Sequence, residues 1–288
     1  MKKSSVLNSP RLLELKKKKH KVLRRKIFFL VALLILILVG VSFLFKWQKI
    51  NIDSIDISGN KLVDTKAIED IVGRKISGDY LWIFPKTNFI FYPKGEIVKE
   101  LNNSFKRINN ISLNIKDFRT LQISIEERVG LYTYCGNIFP EKLADDKCYF
   151  MDDTGYIFSE APYFSGEIYL KFYGTVATDS DSPIGFHFFE PYFYKVISFK
   201  DTLEKMGMKP VIFYFDDDKD IRMFISPFSS IETGPEIIWK ADANYGEVIE
   251  NLQTVLTTEL LQSDSDNKYS SILYIDLRFG NKVYYKLK

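Results

Sequence analysis

The sequence predicts an α+β protein, in which a single N-terminal membrane-spanning helix precedes two domains that mix helices and strands. Three observations support this fold class. Residues 27–45 form an apolar run without a charged residue. Residues 46–128 show helical and strand spacing in the order β-α-α-β-β, and residues 129–288 consist mostly of short alternating runs, typical of an antiparallel sheet with added helices.

The apolar run at 27–45 is long enough to cross a bilayer as a helix. Its 19 residues extend for about 28 Å, close to the hydrocarbon thickness of about 30 Å. A cleaved signal peptide is the alternative, but the sequence "FLFKWQKINI" at its end lacks a small-x-small cleavage site. We therefore predict a retained transmembrane helix.

The charge distribution predicts the orientation of this helix. The chain has 40 basic and 37 acidic residues. Residues 1–26 hold 11 of the basic residues and 1 of the acidic residues, which leaves a net charge of −7 for residues 27–288. Because basic residues beside a span stay in the cytoplasm, we expect a cytoplasmic tail at 1–26 and an extracytoplasmic part at 46–288. That outer part has no basic stripe, so nucleic acid is not an expected partner.

The first outer domain, at 46–128, contains two amphipathic helices and three strands. A strand at 52–57 is followed by a helix over 64–73, which Asp64 caps and Gly73 is expected to end. The remaining elements are an irregular aromatic connection at 78–93, a helix at 94–105 and strands at 111–116 and 120–127.

The second outer domain, at 129–288, is predicted to be a largely antiparallel sheet with two helices. Asn and Gly residues mark its turns, and apolar residues alternate along its strands. Its predicted elements are a hairpin at 148–158, a strand at 167–174, a helix at 191–207, a hairpin at 211–225, a strand at 236–241, a helix at 244–262 and a hairpin at 271–288.

Two cysteines, Cys135 and Cys148, lie 13 positions apart in the outer part of the chain. In an oxidising compartment such a pair favours a disulfide over a metal site or a nucleophile. Two free buried thiols remain the alternative. We expect the disulfide.

The stretch "DDTG" at 152–155 contains Asp-Thr-Gly, the tripeptide that carries the catalytic carboxylate of aspartic proteases. Such an enzyme needs two carboxylates that share one proton, and the chain has a single copy of the tripeptide. A turn is the other interpretation, because Asp and Gly favour turns between β-prone runs. We expect Asp152, Asp153 and Gly155 to form a structural turn, and we keep a membrane-anchored hydrolase as the alternative function.

The outer part of the chain also lacks the usual catalytic signatures. It contains no G-x-S-x-G, H-E-x-x-H or phosphate-binding loop, and His187 is its single histidine. We therefore predict no catalytic residue, no metal ligand and no cofactor.

Four segments resemble the FtsQ/DivIB family of bacterial cell-division proteins. Residues 52–73 are similar to the first strand, Gly-Asn turn and first helix of an FtsQ-type POTRA domain, and 120–128 resembles its last strand, which ends in Glu-Arg. Residues 148–162 resemble the first hairpin of the family's β-domain. Residues 274–288 resemble its terminal Asp-Leu-Arg segment. The chain has Val129-Gly130 where the family usually has a proline, so the exact domain junction is open.

This resemblance implies a POTRA domain at 46–128, a β-domain at 129–288 and a non-enzymatic, single-pass scaffold in the cell (inner) membrane at the division septum. Proteins of this family bind the coiled-coil membrane proteins FtsB (DivIC) and FtsL through the β-domain, and the POTRA domain binds other division proteins. The complex helps to regulate septal peptidoglycan synthesis.

The last strand is the expected partner-binding edge. By alternation, Val283, Tyr285 and Leu287 share one face, whereas Tyr284 lies on the other. In the family the partner adds a strand at this edge, and Phe279 matches the position of a partner contact. The lysines of this strand support the opposite interpretation, an edge protected against pairing.

Overall fold

The computed structural model describes residues 10–81, 83–139, 147–177, 181–216, 218–226, 235–257, 269 and 271–288. The protein is a mixed α+β chain that forms two compact units. The first unit comprises Met1–Phe105 and Asn110–Glu126, and the second comprises Lys106–Asn109 and Glu127–Lys288.

Helix α1 (Pro10–Phe45) opens the first unit, and its segment Lys17–Phe45 is long and apolar enough to cross a membrane. The 29 residues of this segment extend for about 44 Å. None of its most apolar stretch is buried by the other described residues. The predicted N-terminal apolar helix is thus confirmed. It begins before residue 27, because the basic residues that precede this position are good helix formers.

The rest of the first unit combines two helices with a small sheet. Among the described residues, β5 (Thr120–Glu127) lies between β1 (Ser54–Ser58), to which it is parallel, and β4 (Ile108–Lys116). The helices are α2 (Thr65–Ile76) and α3 (Lys94–Ser104). The fully buried apolar side chains come from both helices and from β4 and β5: Ile68, Val72, Ile97, Leu101, Leu113, Leu121 and Ile123.

Helix α2 begins where the sequence predicts and ends later. The Asp64 carboxylate accepts hydrogen bonds from the amides of Lys66 and Ala67, both at 3.3 Å. The expected end at Gly73 is wrong, because the helix continues to Ile76, whose side chain is buried. Burial of Ile76 offsets the cost of about 1 kcal/mol for a glycine inside a helix. The chain instead leaves the helix through Gly78, which has a φ of +84°.

The second unit is built on one large, mostly antiparallel sheet, as predicted. The nine strands seen among the described residues run in the order β14-β13-β12-β11-β10-β9-β6-β7-β8. In chain order they are β6 (Tyr132–Tyr134), β7 (Tyr149–Met151), β8 (Ile157–Glu160), β9 (Lys171–Gly174), β10 (Pro210–Phe215), β11 (Asp220–Ile225), β12 (Glu236–Lys240), β13 (Ile272–Phe279) and β14 (Lys282–Leu287).

Two helices cross over between parallel neighbours of this sheet. Helix α4 (Phe193–Lys205) connects β9 to β10, and α5 (Tyr245–Leu256) lies between β12 and β13 in the chain. The predicted extension of the second helix over 258–262 lies outside the described residues. The helices and the sheet enclose an aromatic core whose largest fully buried members include Phe172, Phe188, Phe199, Phe213 and Trp239.

Candidate functional site

Strand β14 lies at one end of the nine-strand order. Within the described part of the chain it pairs with β13 alone, in antiparallel register, with Ile275 opposite Tyr285 and Asp276 opposite Tyr284. A strand with one neighbour leaves a row of backbone groups open on its other side. This edge is therefore able to accept a further strand.

One hydrogen bond fixes which amides of β14 point outward. The amide of Lys288 donates to the carbonyl of Ser271 at 2.8 Å, so this amide points toward β13. Both register shifts of this pair place the extra residue in β13, and amide directions alternate along the regular strand β14. The amide of Tyr284 therefore also faces β13, whereas those of Val283 and Tyr285 point to the open side of the sheet.

The side chains of β14 divide between the core and the solvent. Val283 and Leu287 are half-buried and pack against the aromatic core of the second unit. Tyr284 is 52% exposed, and its ring meets that of Phe279, which is 53% exposed, edge to face at a centroid distance of 5.2 Å. Tyr285 is also exposed. The edge thus presents three aromatic rings beside the outward amides.

Charged side chains hold the hairpin of β13 and β14 to the rest of the sheet. The Arg278 guanidinium binds the Asp276 carboxylate at 2.6 Å and 2.9 Å, and it also binds Asp220 on β11. Lys240 on β12 forms an ion pair with the same Asp220. Since both carboxylates are buried, these contacts stabilise the hairpin more than exposed ion pairs would.

The pKa values of two acids beside this hairpin shift in opposite directions. Burial alone would raise the pKa of Asp220, but hydrogen bonds from Lys240 and Arg278 outweigh burial and hold it below the ordinary value. Burial raises the pKa of Glu236, and the nearby Arg222 only partly opposes this effect. The contacts with Lys240 and Arg278 therefore favour the charged form of Asp220.

Helix α5 holds the turn of the same hairpin. The side-chain amide of Asn251 donates to the carbonyl of Gly280 at 2.8 Å. Gly280 has a φ of +62°, a conformation that favours glycine. The turn, the charged contacts and the core-facing side chains together make β14 an ordered edge rather than a loose tail.

The "DDTG" stretch forms the turn between β7 and β8. The Asp152 carboxylate accepts hydrogen bonds from the amide of Thr154 at 2.9 Å, its hydroxyl at 2.6 Å and the amide of Tyr156 at 3.1 Å. Gly155 has a φ of +81°, and a Cβ atom there would lie 2.9 Å from the ring of Phe193. Asp153, the acid of the Asp-Thr-Gly tripeptide, has an exposed side chain.

Arg128 contacts the same turn. Its guanidinium pairs with the Asp152 carboxylate, and it stacks on the Tyr156 ring at 4.2 Å from the centroid. Burial would raise the pKa of Asp152, but the hydrogen bonds from Thr154, Arg128 and Tyr156 lower it instead. The residue that organises the turn is thus Asp152 and not its neighbour.

A disulfide joins Cys135 and Cys148. Both residues are buried, in a small cluster with Tyr173, Ile212 and Phe224. The bond connects the end of β6 to the start of β7, across a segment whose residues 140–146 lie outside the described part of the chain.

We expect replacement of both Cys135 and Cys148 by serine to lower the stability of the second unit. Closing a loop of this length is worth about 3 kcal/mol in the chain-entropy description of the unfolded state. Denaturant unfolding of the purified full chain in detergent, with and without a reductant, measures the effect. A serine variant as stable as the oxidised wild type would contradict this expectation.

The charged contacts that hold the hairpin in place are not evident from the sequence. Asp220, Arg222, Glu236 and Lys240 lie on β11 and β12, far from 276–278 in the chain, so no local pattern connects them. The available signal was the Asp-x-Arg spacing at 276–278, which places both charges on one face of a strand.

Comparison with known proteins does not assign the chain to a family. No protein-family model matches the sequence, and a search of curated proteins finds no match.

Proposed function

We propose that the chain is a non-enzymatic scaffold of the FtsQ/DivIB type, anchored in the cell membrane by α1. Its second unit would bind a partner of the FtsB/DivIC kind, together with an FtsL-like protein, at the division septum. The observation that carries the proposal is the open edge of β14, where outward amides lie beside the exposed rings of Phe279, Tyr284 and Tyr285.

Main-chain pairing is the binding mode that this edge favours. A partner segment that adds a strand gains backbone hydrogen bonds from every second residue, and side-chain contacts then select its sequence. The lysines at 282, 286 and 288 discourage pairing between two copies of the chain, because like charges would face each other. They would attract an acidic partner segment.

The first unit supports the same assignment. A short pair of strands, Asp79–Tyr80 and Phe84–Pro85, lies between its helices; apart from this pair, its element order is β-α-α-β-β, the order expected of a POTRA domain. In the family this domain contacts other division proteins. We extend that role to residues 46–128 as part of the proposal.

The proposal is tested by isolating the full chain, tagged at its N-terminus, from the membranes of its own cells. We expect a small membrane protein with a coiled-coil outer segment to be recovered with it. The matched control is the same chain with Val283→Pro, which should recover far less. Equal recovery by both proteins, or recovery of no membrane protein by the wild type, would contradict the proposal.

The orientation of α1 gives a separate prediction. Because the basic residues precede the apolar run, protease added outside intact cells should digest residues 46–288 and leave residues 1–26 protected. Tags at the two ends of the chain report the two outcomes on one blot. Digestion of the N-terminal tag with protection of the C-terminal one would reverse the orientation.

A further inference from the structure

The segment that follows α2 folds against the C-terminal end of α1. Within it, two short strands, β2 (Asp79–Tyr80) and β3 (Phe84–Pro85), pair with each other. The hydroxyl of Ser42 on α1 donates to the carbonyl of Ile83 at 3.1 Å. The ring of Phe45, the last residue of α1, lies 5.5 Å from that of Phe84. The sequence predicted this segment only as an irregular connection.

Further contacts fix the position of the segment beside the helix end. The ring of Phe91 lies 5.1 Å from that of Phe45 and 5.3 Å from that of Phe84, which completes a group of three aromatic rings. Lys46 pairs with Asp79 at 3.6 Å. The segment therefore has a defined position along the axis of α1.

This position along the axis of α1 places apolar residues of the segment beside the end of the helix. Ser42 lies three residues before the helix end, which is about 4.5 Å along the axis. Ile83 therefore lies at the level of the last turn of α1, and with Ile35, Leu38 and Val39 it lines an apolar groove of about 390 Å³. If α1 crosses a bilayer, Ile83 is level with its outer boundary.

Two apolar side chains of the segment are mostly exposed in the described part of the chain. Leu81 is 82% exposed, and Ile90 is 58% exposed. Leu81 also has a φ of +49°, a conformation that is costly for leucine and common for glycine or asparagine. A leucine there gains nothing from the protein core. Burial within the described part of the chain therefore does not offset this backbone strain.

Amphipathic residues lie in the same segment and just after the end of α1. The Lys86 ammonium lies 5.3 Å from the centroid of the Tyr80 ring, and Lys49 lies 5.9 Å from that of the exposed Trp47. Aromatic and lysine side chains of this kind are enriched where a membrane protein meets the lipid head groups.

We propose that Tyr80, Leu81, Ile83, Phe84, Ile90 and Phe91 form a membrane-interface collar, which inserts into the boundary between head groups and acyl chains beside the end of α1. The occupant of this surface is the lipid bilayer itself. The collar rests on the proposed membrane anchor, because its contacts with Ser42 and Phe45 place it at the bilayer only if α1 spans it. Its role is to hold the first unit against the membrane at a fixed height.

Depth-dependent quenching of a fluorophore tests the collar in the full chain, reconstituted in phosphatidylcholine vesicles. Leu81→Cys carries the fluorophore, and vesicles with acyl chains brominated near the head group supply the quencher. The disulfide leaves no other free thiol among the described residues. Leu62→Cys is the matched control. Leu62 is a leucine of the same unit and is 73% exposed, and it follows the end of β1 that is farther along the chain from α1. Phe43→Cys on α1 reports the span itself.

We expect the fluorophore at position 81 to be quenched about threefold or more relative to position 62, and to nearly the extent seen at position 43, since interfacial side chains lie within reach of the upper acyl chain. Quenching at 43 with equal, weak quenching at 81 and 62 would overturn the collar and leave the anchor intact. A collar that binds a protein instead of lipid would give this same result, because the vesicles contain this chain alone. Weak quenching at all three positions would overturn the anchor and the collar together.

Discussion

A proline at position 283 should remove most of the affinity for a partner strand while the chain stays folded. The amide of Val283 points to the open side of β14, so its loss breaks no bond to β13. Proline is tolerated on an edge strand in this orientation. The partner, however, loses one backbone donor and meets the proline ring at the pairing surface.

The expected loss of affinity follows from the partner's carbonyl, which loses its hydrogen bond with the Val283 amide. A buried carbonyl left without its hydrogen bond costs about 1–3 kcal/mol. That corresponds to a loss of about 5- to 150-fold in affinity, since every 1.4 kcal/mol is about tenfold. Titration of the full chain in detergent with the outer segment of the recovered partner measures it.

Two further variants separate the backbone from the side chain. Val283→Ala removes the core-facing methyl groups and keeps the amide, so it should bind almost normally with a modest loss of stability. Tyr284→Pro removes an amide that faces β13, so it should damage the hairpin itself and lower the unfolding midpoint. Normal binding by Val283→Pro and by Tyr285→Pro, both folded, would show that the partner does not pair with this edge.

Local patterns predicted the element ends that a few neighbouring residues determine. Helix α2 begins at the residue after Asp64, because a carboxylate there satisfies two amides of the first turn. The last hairpin turns at Gly280, because its backbone conformation requires a residue that accepts a positive φ. In such places one or a few neighbouring residues determine the structure.

Long-range pairing was less accessible from the sequence. Strand β6 has only three residues, so it shows no usable alternation, yet it pairs with β7 on one side and β9 on the other. Its parallel alignment with β9 depends on residues about 40 positions away. Likewise, the contact of Arg278 with Asp220 joins residues that are 58 positions apart. Only the packing of the whole sheet determines such contacts.

The turn at 152–155 shows how a motif can draw attention to the wrong residue. The Asp-Thr-Gly tripeptide points to Asp153, and the sequence predicts the same turn role for Asp152 and Asp153. The structure distinguishes them, because Asp152 is 5% exposed and accepts four hydrogen bonds or ion-pair contacts, whereas Asp153 faces solvent. Two adjacent aspartates therefore provide a matched pair for mutation.

Asp152→Ala should destabilise the second unit by about 3–5 kcal/mol, because it leaves the largely buried Arg128 guanidinium without its carboxylate. Asp153→Ala should change stability by no more than about 0.5 kcal/mol, as is usual for exposed residues. Denaturant unfolding of the two variants in parallel measures both values. Equal effects would contradict the assigned roles, and a peptidase activity that disappears in Asp153→Asn would support the hydrolase alternative.

The lowered pKa of Asp152 predicts how the loss of stability caused by its mutation depends on pH. The hydrogen bonds that lower the pKa of Asp152 favour its charged form in the folded state. Its contribution to stability is therefore complete above the ordinary aspartate pKa of about 4 and is lost as the pH falls through the lower folded-state pKa. The stability difference between the wild type and Asp152→Asn should be constant from about pH 5 to 7 and should shrink below about pH 4. A difference that stayed constant into strong acid would mean that the Asp152 charge does not stabilise the turn, and that the contacts of Arg128 and Thr154 serve only to shape it.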